Sequence, residues 1–462
     1  MHGSWHRELP VVAALAAVLL TGGASPAGAT TNGATTNGAA TNDPAATTSK
    51  AATEARVAFH DWTTTTDFVA GTARGVLPLP GPRLGIVIGR SAGTTTYHDP
   101  YLNTDRGYDY GTWTSPVRRL DFGATEMVAS WSAQTPPGTW LKVELNATME
   151  DGAGTGWLDM GHWAAGDGDI HRTSVSPSAA PYGGVDTDTF TTSAGHTVRA
   201  YQLRVTLYRA AGTAGSPRLW QVGAFASATP NRTGVPTSTP GPASAAGIEL
   251  KVPRYSQNVH AGQYPEWDGG GEAWCSPTST EMVVEYWGKY PSREQLAFVD
   301  PGYADPSVDV AARATYDYAY QGTGNWPFNT GYASSYGLDG QIVQLRSLDD
   351  VERLIAAGIP VITSQSFERG EIDGADYRTN GHLWVIVGFT KAGDVVVNDP
   401  ASNSNPEVRN VYPRRQFETV WLRTSFTRPN GSTGHGTGGI AYVIKPHDKP
   451  LPPAIDPANP SW

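Results

Sequence analysis

The sequence predicts two domains in one chain, an all-β sandwich followed by an α+β domain. Three observations carry this reading. Short alternating apolar segments recur between Gly- and Pro-rich turns over residues 55–228. Residues 229–247, TPNRTGVPTSTPGPASAA and Gly247, form a Pro/Thr/Ser linker with too little apolar content to bury a core. From 248 to 446, helical periods and apolar strands alternate instead.

In the first domain the expected strands are RLGIVI from Arg83, EMVASW from Glu126, WLKVEL from Trp140, YQLRVTLY from Tyr201 and LWQVGAF from Leu219. Each alternates apolar and polar residues for part of its length, as strands half exposed to water do. Many such strands with little helical period indicate a sandwich. The segment is rich in tryptophan: Trp62, Trp113, Trp131, Trp140, Trp157, Trp163 and Trp220. Exposed, these rings would stack on sugars and make the domain a carbohydrate-binding module; buried, they pack the core, the commoner use of such rings. Asp151, Asp159, Asp167 and Asp169 lack the spacing of a calcium loop and read as solvated turns.

In the second domain, SPTSTEMVVEYWG after Cys275 has helical spacing at Met282, Val283, Tyr286 and Trp287, with Pro277 tolerated in the first turn. Ser292 with Gln295 three residues on is a capping-box pattern. A third helix is expected from Leu348 to Ala357, capped by Ser347 and stopped by Gly358 and Pro360. Strands follow from Ile359 to Ser364, His382 to Phe389 and Asp394 to Asn398, with Ile440 to Ile444 closing the sheet. Residues 447–462 form a Pro-rich tail.

The ends and the composition narrow the function classes. VVAALAAVLL from Val11, followed by Ala27-Gly28-Ala29, is the pattern of a cleaved signal peptide over residues 1–29, so the protein is expected to be secreted. That run is too short to span a membrane. Residues 30–54, with their TNGA repeat, are expected to be a disordered spacer. A net charge of -10 with no basic block speaks against nucleic-acid binding. The single cysteine excludes an internal disulfide, so Cys275 acts as a thiol.

A nucleophilic cysteine needs its thiolate, which a helix N-terminus and a neighbouring imidazolium both favour. Cys275 stands where a helix is expected to begin, after the loop Gly269-Gly270-Gly271-Glu272-Ala273-Trp274. Of the eleven histidines, only His382 opens a strongly apolar strand, HLWVIVGF. His260 reads as part of a polar loop, and His435 and His447 lie in Gly- or Pro-rich sequence. Asp399 ends the next strand of a hairpin and is placed to accept the other ring N–H of His382. Its neighbour Asn398 is a second candidate for that role.

Residues 250–425 resemble the papain-fold cysteine peptidases related to the double-glycine leader peptidases of bacteriocin exporters. The stretches that carry the resemblance are VPRYSQ ending at Gln257, WCSPTSTEMVVEYWG at 274–288, LDDVERLIAAGIPVI at 348–362 and GHLWVIVGFTKAGDVVVNDPAS at 381–402. It implies Cys275 as nucleophile, His382 as general base and Asp399 as the group that orients it. It also implies Gln257 as a side-chain amide of the oxyanion hole. Ser276 replaces the glycine that relatives often carry after the cysteine, and no G-x-x-x-x-G-K-[ST] stretch is present, so leader cleavage after Gly-Gly does not carry over. No cofactor or metal is implied. The substrate expected is a peptide. A cell-wall amidase or endopeptidase acting on peptidoglycan stem peptides, and a non-catalytic surface-binding protein, are the alternatives.

Overall fold

The structure is a computed structural model that describes residues 55–79, 83–241 and 244–462. The expected signal peptide and spacer lie outside the described residues.

Residues 56–228 form two antiparallel sheets. One orders the strands Val175–Ala180, Gly183–Thr187, Thr189–Thr192, Glu126–Gln134, Arg218–Ala228, Gly85–Ile88 and Val76–Leu79, with Arg56–Trp62 also paired to Arg218–Ala228. The other orders Leu158–Trp163, Thr139–Met149, Val198–Ala210, Thr104–Thr114 and Thr72–Arg74, with Gly93–Asp99 and Arg118–Ala124 on its flanks. Aromatic rings join the two: Trp62 of the first sheet meets Trp113 and Tyr201 of the second at centroid distances of 5.9 and 6.3 Å. A short helix, α1 (Thr65–Ala70), closed by a Thr64–Asp67 capping box, seals this end with Phe68 against Trp113.

In this region the core reading of the tryptophans holds, and the half-exposed reading of the strands changes. Trp62, Trp113, Trp131, Trp140, Trp163 and Trp220 are buried, which leaves Trp157 as the partly exposed one of the seven, and Arg204 lies over its ring. Six of the seven are core. The strands Glu126–Gln134 and Arg218–Ala228 are not half exposed but buried along nearly their whole length. Their second face is covered by the C-terminal part of the chain rather than by water. Ser130 and Ser132 accept hydrogen bonds from the backbone N–H groups of Ile342 and Gly340, and Ser334 donates to the carbonyl of Ala133. The four aspartates find protein donors: Ala153 N–H for Asp151, His162 for Asp159, Arg313 for Asp167, and Arg106 with Gly138 N–H for Asp169.

The C-terminal part is built on a six-stranded antiparallel sheet ordered Leu338–Gln344, Ile440–Pro446, Val361–Phe367, Thr379–Phe389, Val395–Asn398, Arg409–Tyr412. Ile440–Pro446 therefore lies inside the sheet, and the unforeseen strand Leu338–Gln344 takes the edge. The helices are α2 (Cys275–Tyr286), α3 (Arg293–Leu296), α4 (Pro306–Thr315), α5 (Trp326–Ser335), α6 (Leu348–Ala356) and α7 (Arg414–Leu422). The capping box at α3 forms with both of its bonds, and Ser347 caps α6 as its sequence requires. Gly358 ends that helix at φ 77°, a left-handed conformation that suits glycine.

The linker does not hang free. Arg232 donates to the carbonyl of Leu422, Ser238 to Glu418 and Gly241 N–H to Glu352. The Pro-rich tail likewise returns to the first strand of the chain, where the carbonyl of Pro460 accepts from Phe59 N–H at 2.8 Å. Arg346 clamps both, donating to the carbonyls of Val57 and Asn459. Among the described helices none is long and apolar enough to cross a membrane.

On α2, Glu281 is fully buried and accepts from Tyr332 at 2.7 Å. Burial raises its pKa well above the usual carboxyl value, with the charge of Glu285 adding to the effect. A carboxyl whose folded pKa is raised holds its proton longer in the native state, so stability falls as pH climbs above the unfolded value. Glu281→Gln keeps an acceptor for Tyr332 and has no charge to bury. Thermal denaturation of this variant and the wild type across pH is expected to show equal or higher stability for the variant, with the gap widening from acid to alkaline pH. A variant less stable than wild type at alkaline pH would contradict this.

Candidate active site

Cys275 is the first residue of α2, so its thiol lies at the positive end of a twelve-residue helix. Trp274 and Ser276 on either side are fully buried, whereas Cys275 is partly exposed. Trp274 is anchored by its indole N–H on the carbonyl of Trp267 at 2.7 Å, and Ser276 by its hydroxyl to that of Tyr442 at 3.0 Å. Two fixed neighbours thus hold Cys275 in its partly exposed position. Before them, Gly271 allows the turn Gln257–His260 to come close: a Cβ there would lie 2.5 Å from the carbonyl of Gln257 and from His260.

His382 sits on Thr379–Phe389, the strand between Val361–Phe367 and Val395–Asn398. Gln365 on the neighbouring strand donates to its carbonyl at 2.9 Å. Asp399 follows the last residue of Val395–Asn398, and its Oδ1 is 2.8 Å from Nε2 of His382. That leaves Nδ1 as the ring nitrogen for a second partner, and Cys275 lies near enough to this imidazole to favour its protonated form. Residues 275, 382 and 399, distant in sequence, are thus brought to one place.

The electrostatics follow from the burial of Asp399, which is 1% exposed. Its carboxylate accepts four hydrogen bonds: from His382, from Ala401 N–H at 2.9 Å, and from the hydroxyls of Tyr377 and Tyr412 at 2.7 and 2.8 Å. Burial alone would push its pKa up. The charge and hydrogen bond of His382 and the two tyrosines outweigh that, so the carboxyl stays below its ordinary value. For His382, burial acts downward, but Asp399, by charge and hydrogen bond, and then Cys275 raise the imidazole to about 10. His382 is thus an imidazolium at neutral pH. Trp384 and Tyr377 set their rings edge-on to it at 5.7 and 5.5 Å, which limits how far it can turn.

The other expectations divide. Gln257 is buried, takes the carbonyl of Pro400 with its N–H at 2.9 Å, and donates from its side chain to the carbonyl of Glu272. It therefore bridges the Asp399 turn and the segment before Cys275. One Nε2 hydrogen is committed there, which leaves the other, and Oε1 is buried without a partner. Asn398 is not an orienter: its amide donates to the carbonyls of Val252 and Pro253, away from the imidazole. His260 is not in an open polar loop but fully buried, 3.4 Å from Asp309 and bonded to Gln263. Tyr377 and Tyr412 were not foreseen. Tyr377 sits in a charged, Gly-rich loop and Tyr412 on an edge strand, and no spacing rule links either to Asp399.

An imidazolium held between a buried carboxylate and a thiol at a helix N-terminus is the arrangement of the cysteine hydrolases. Residues 249–429 match the Peptidase_C39 like family, and residues 58–227 match the Peptidase C39 N-terminal domain. The C-terminal domain belongs to the C39-like peptidases, as its motifs led one to expect. The chain is similar to a crystal structure provisionally described as a C39-like peptidase from Bacillus anthracis. The two are 20% identical, and the match covers 43% of this chain and 96% of that one at a TM-score of 0.26. A structure of carbohydrate-binding modules from the β-sandwich superfamily matches over 36% of this chain and 54% of that chain, at 11% identity and a TM-score of 0.16. No curated protein matches.

Two outcomes are expected from this geometry. Below the ordinary thiol range a free cysteine alkylates slowly, whereas a thiol paired with an imidazolium reacts readily. Cys275 is the sole cysteine, so mass spectrometry reads its labelling directly. Iodoacetamide should modify it at mildly acid pH in the wild type and much more slowly in His382→Ala; equal rates would contradict the pairing. Tyr412→Phe removes one donor from the buried carboxylate, a loss of about 2 kcal/mol for a hydrogen bond to a charged group. Urea denaturation at neutral pH should show it. The deficit should shrink as pH falls and Asp399 protonates, because a depressed pKa contributes stability only above the folded value.

Proposed function

We propose that this chain is a secreted cysteine peptidase that cleaves peptide bonds through an acyl-thioenzyme. On this reading residues 248–446 adopt the papain-like α+β fold and residues 55–228 a β-sandwich. The observation that carries the reading is the hydrogen bond between His382 and the buried Asp399, with Cys275 at the head of α2 acting on the same imidazole. The Cys275 sulfur attacks the scissile carbonyl carbon, and the oxygen takes up negative charge. The backbone N–H of Cys275, in the first turn of α2, and the remaining Nε2 hydrogen of Gln257 are the donors for that oxyanion. His382 gives its Nδ1 proton to the leaving amine, and the C–N bond breaks. A water molecule then attacks the thioester while His382 takes its proton, which releases the carboxylic acid and restores the thiolate. Asp399 stays charged throughout and holds the ring.

Export is supported by the apolar run from Val11 and the Ala27-Gly28-Ala29 pattern. Sugar binding is not part of the proposal, because six of the seven rings are in the core and Arg204 lies over the seventh, Trp157. The test is digestion of a peptide library, with peptidoglycan stem peptides as a second arm, by wild type and Cys275→Ala. New N-termini should form with the wild type, and the rate should fall by roughly a thousandfold or more in the variant. Cleavage that survives Cys275→Ala, or no cleavage of either substrate set by folded wild type, would overturn the proposal.

A further inference from the structure

Residues 316–325 connect α4 to α5, and the N-terminal domain holds both ends of this connection. Helix ends leave carbonyls at one terminus and amides at the other without partners in the helix. At the end of α4 the missing donors come from Arg172, which is 1% exposed. Its guanidinium donates to the carbonyls of Arg313 and Tyr316 at 2.8 and 3.2 Å. Its remaining N–H groups bind Ala164, Ala165 and Gly166 of its own domain at 3.0 to 3.1 Å. Next to it, Asp167 pairs with both arms of Arg313, and Ser174 N–H donates to Asp317. At the start of α5, Asp188 accepts from Trp326 N–H at 2.9 Å from the turn between Gly183–Thr187 and Thr189–Thr192.

The connection so held packs against the approach to the thiol. Thr323 donates through its N–H and its hydroxyl to Asp268, at 3.0 and 3.2 Å, and its hydroxyl also reaches the carbonyl of Ala273 at 3.4 Å. Ala273 stands two residues before Cys275. A buried arginine with every N–H on a carbonyl is a rigid joint, because moving it would strand several donors and acceptors at once.

We propose that the N-terminal domain is a positioning surface for the nucleophile: through Arg172 and Asp188 it fixes residues 316–325, and through Thr323 these fix the turn that presents Cys275. This rests on Cys275 being the nucleophile, and it gives the domain a role other than recognition at a distance. A freely tethered module would not cap helices in its neighbour.

The test uses the full chain with Asp188→Ala, Asp188→Asn and Thr323→Val, each checked for folding by thermal denaturation. Iodoacetamide alkylation of Cys275 is followed from about pH 5 to about pH 9, and kcat and KM are measured on a cleaved peptide. Asp188→Ala and Thr323→Val should alkylate about tenfold more slowly and lose kcat with little change in KM, as a small displacement of the nucleophile requires. Asp188→Asn, which keeps an acceptor for Trp326 N–H, should recover most of the wild-type rate. Folded Asp188→Ala and Thr323→Val proteins that alkylate and turn over like wild type would overturn the proposal. Should Asp188→Ala not fold, Thr323→Val decides alone, since it trims one hydroxyl and leaves both helix ends capped. A wild-type Cys275 no more reactive than a free thiol would instead refute the nucleophile reading itself.

Discussion

The site depends on one buried negative charge. A lone carboxylate away from water costs several kcal/mol and would take up a proton. Asp399 keeps its charge because four donors converge on it, and one of them is His382. From that follow the orientation of the imidazole, which nitrogen faces Cys275, and the preference of the ring for its protonated form. The sheet supplies the framework: adjacent antiparallel strands bring residue 399 beside residue 382, and the helix start brings residue 275 to the same place.

The same requirement, that buried polar groups find partners, joins the two domains. Arg172 satisfies carbonyls on both sides of the boundary, and Ser130, Ser132 and Ser334 exchange hydrogen bonds with backbone across it. The linker and the tail lie along the surface they connect, held by Arg232, Ser238 and Arg346. These directional contacts act beside apolar packing across the same boundary, where Phe328 meets Trp131 and Trp163, and together they fix one relative placement.

Much of this was legible in the sequence. Cys275 was placed at a helix start by the period of the residues after it, and His382 was marked by the apolar strand it opens. Asp399 was marked by the hairpin that follows. The Ser292–Gln295 and Ser347 caps were readable because a cap is a local bargain between residues three or fewer apart. What was missed is non-local. Tyr377 and Tyr412 reach Asp399 only through the folded sheet. His260 looked exposed because its neighbours are polar, yet Asp309, from a helix the sequence did not reveal, buries it. The strand from Glu126 alternates enough to look half wet, since Ser130 and Ser132 are polar. Their partners are backbone groups of the other domain, which no pattern within the strand announces.

The central claim is that Asp399 keeps His382 protonated beside the thiol. The most direct test is the ¹⁵N chemical shift of the His382 ring followed by NMR as pH is varied. The account requires imidazolium shifts through neutral pH, with titration near 10 in the wild type, and a neutral ring at pH 7 in Asp399→Asn. A wild-type ring that is already neutral at pH 7, titrating near the ordinary 6.5 of histidine, would contradict it.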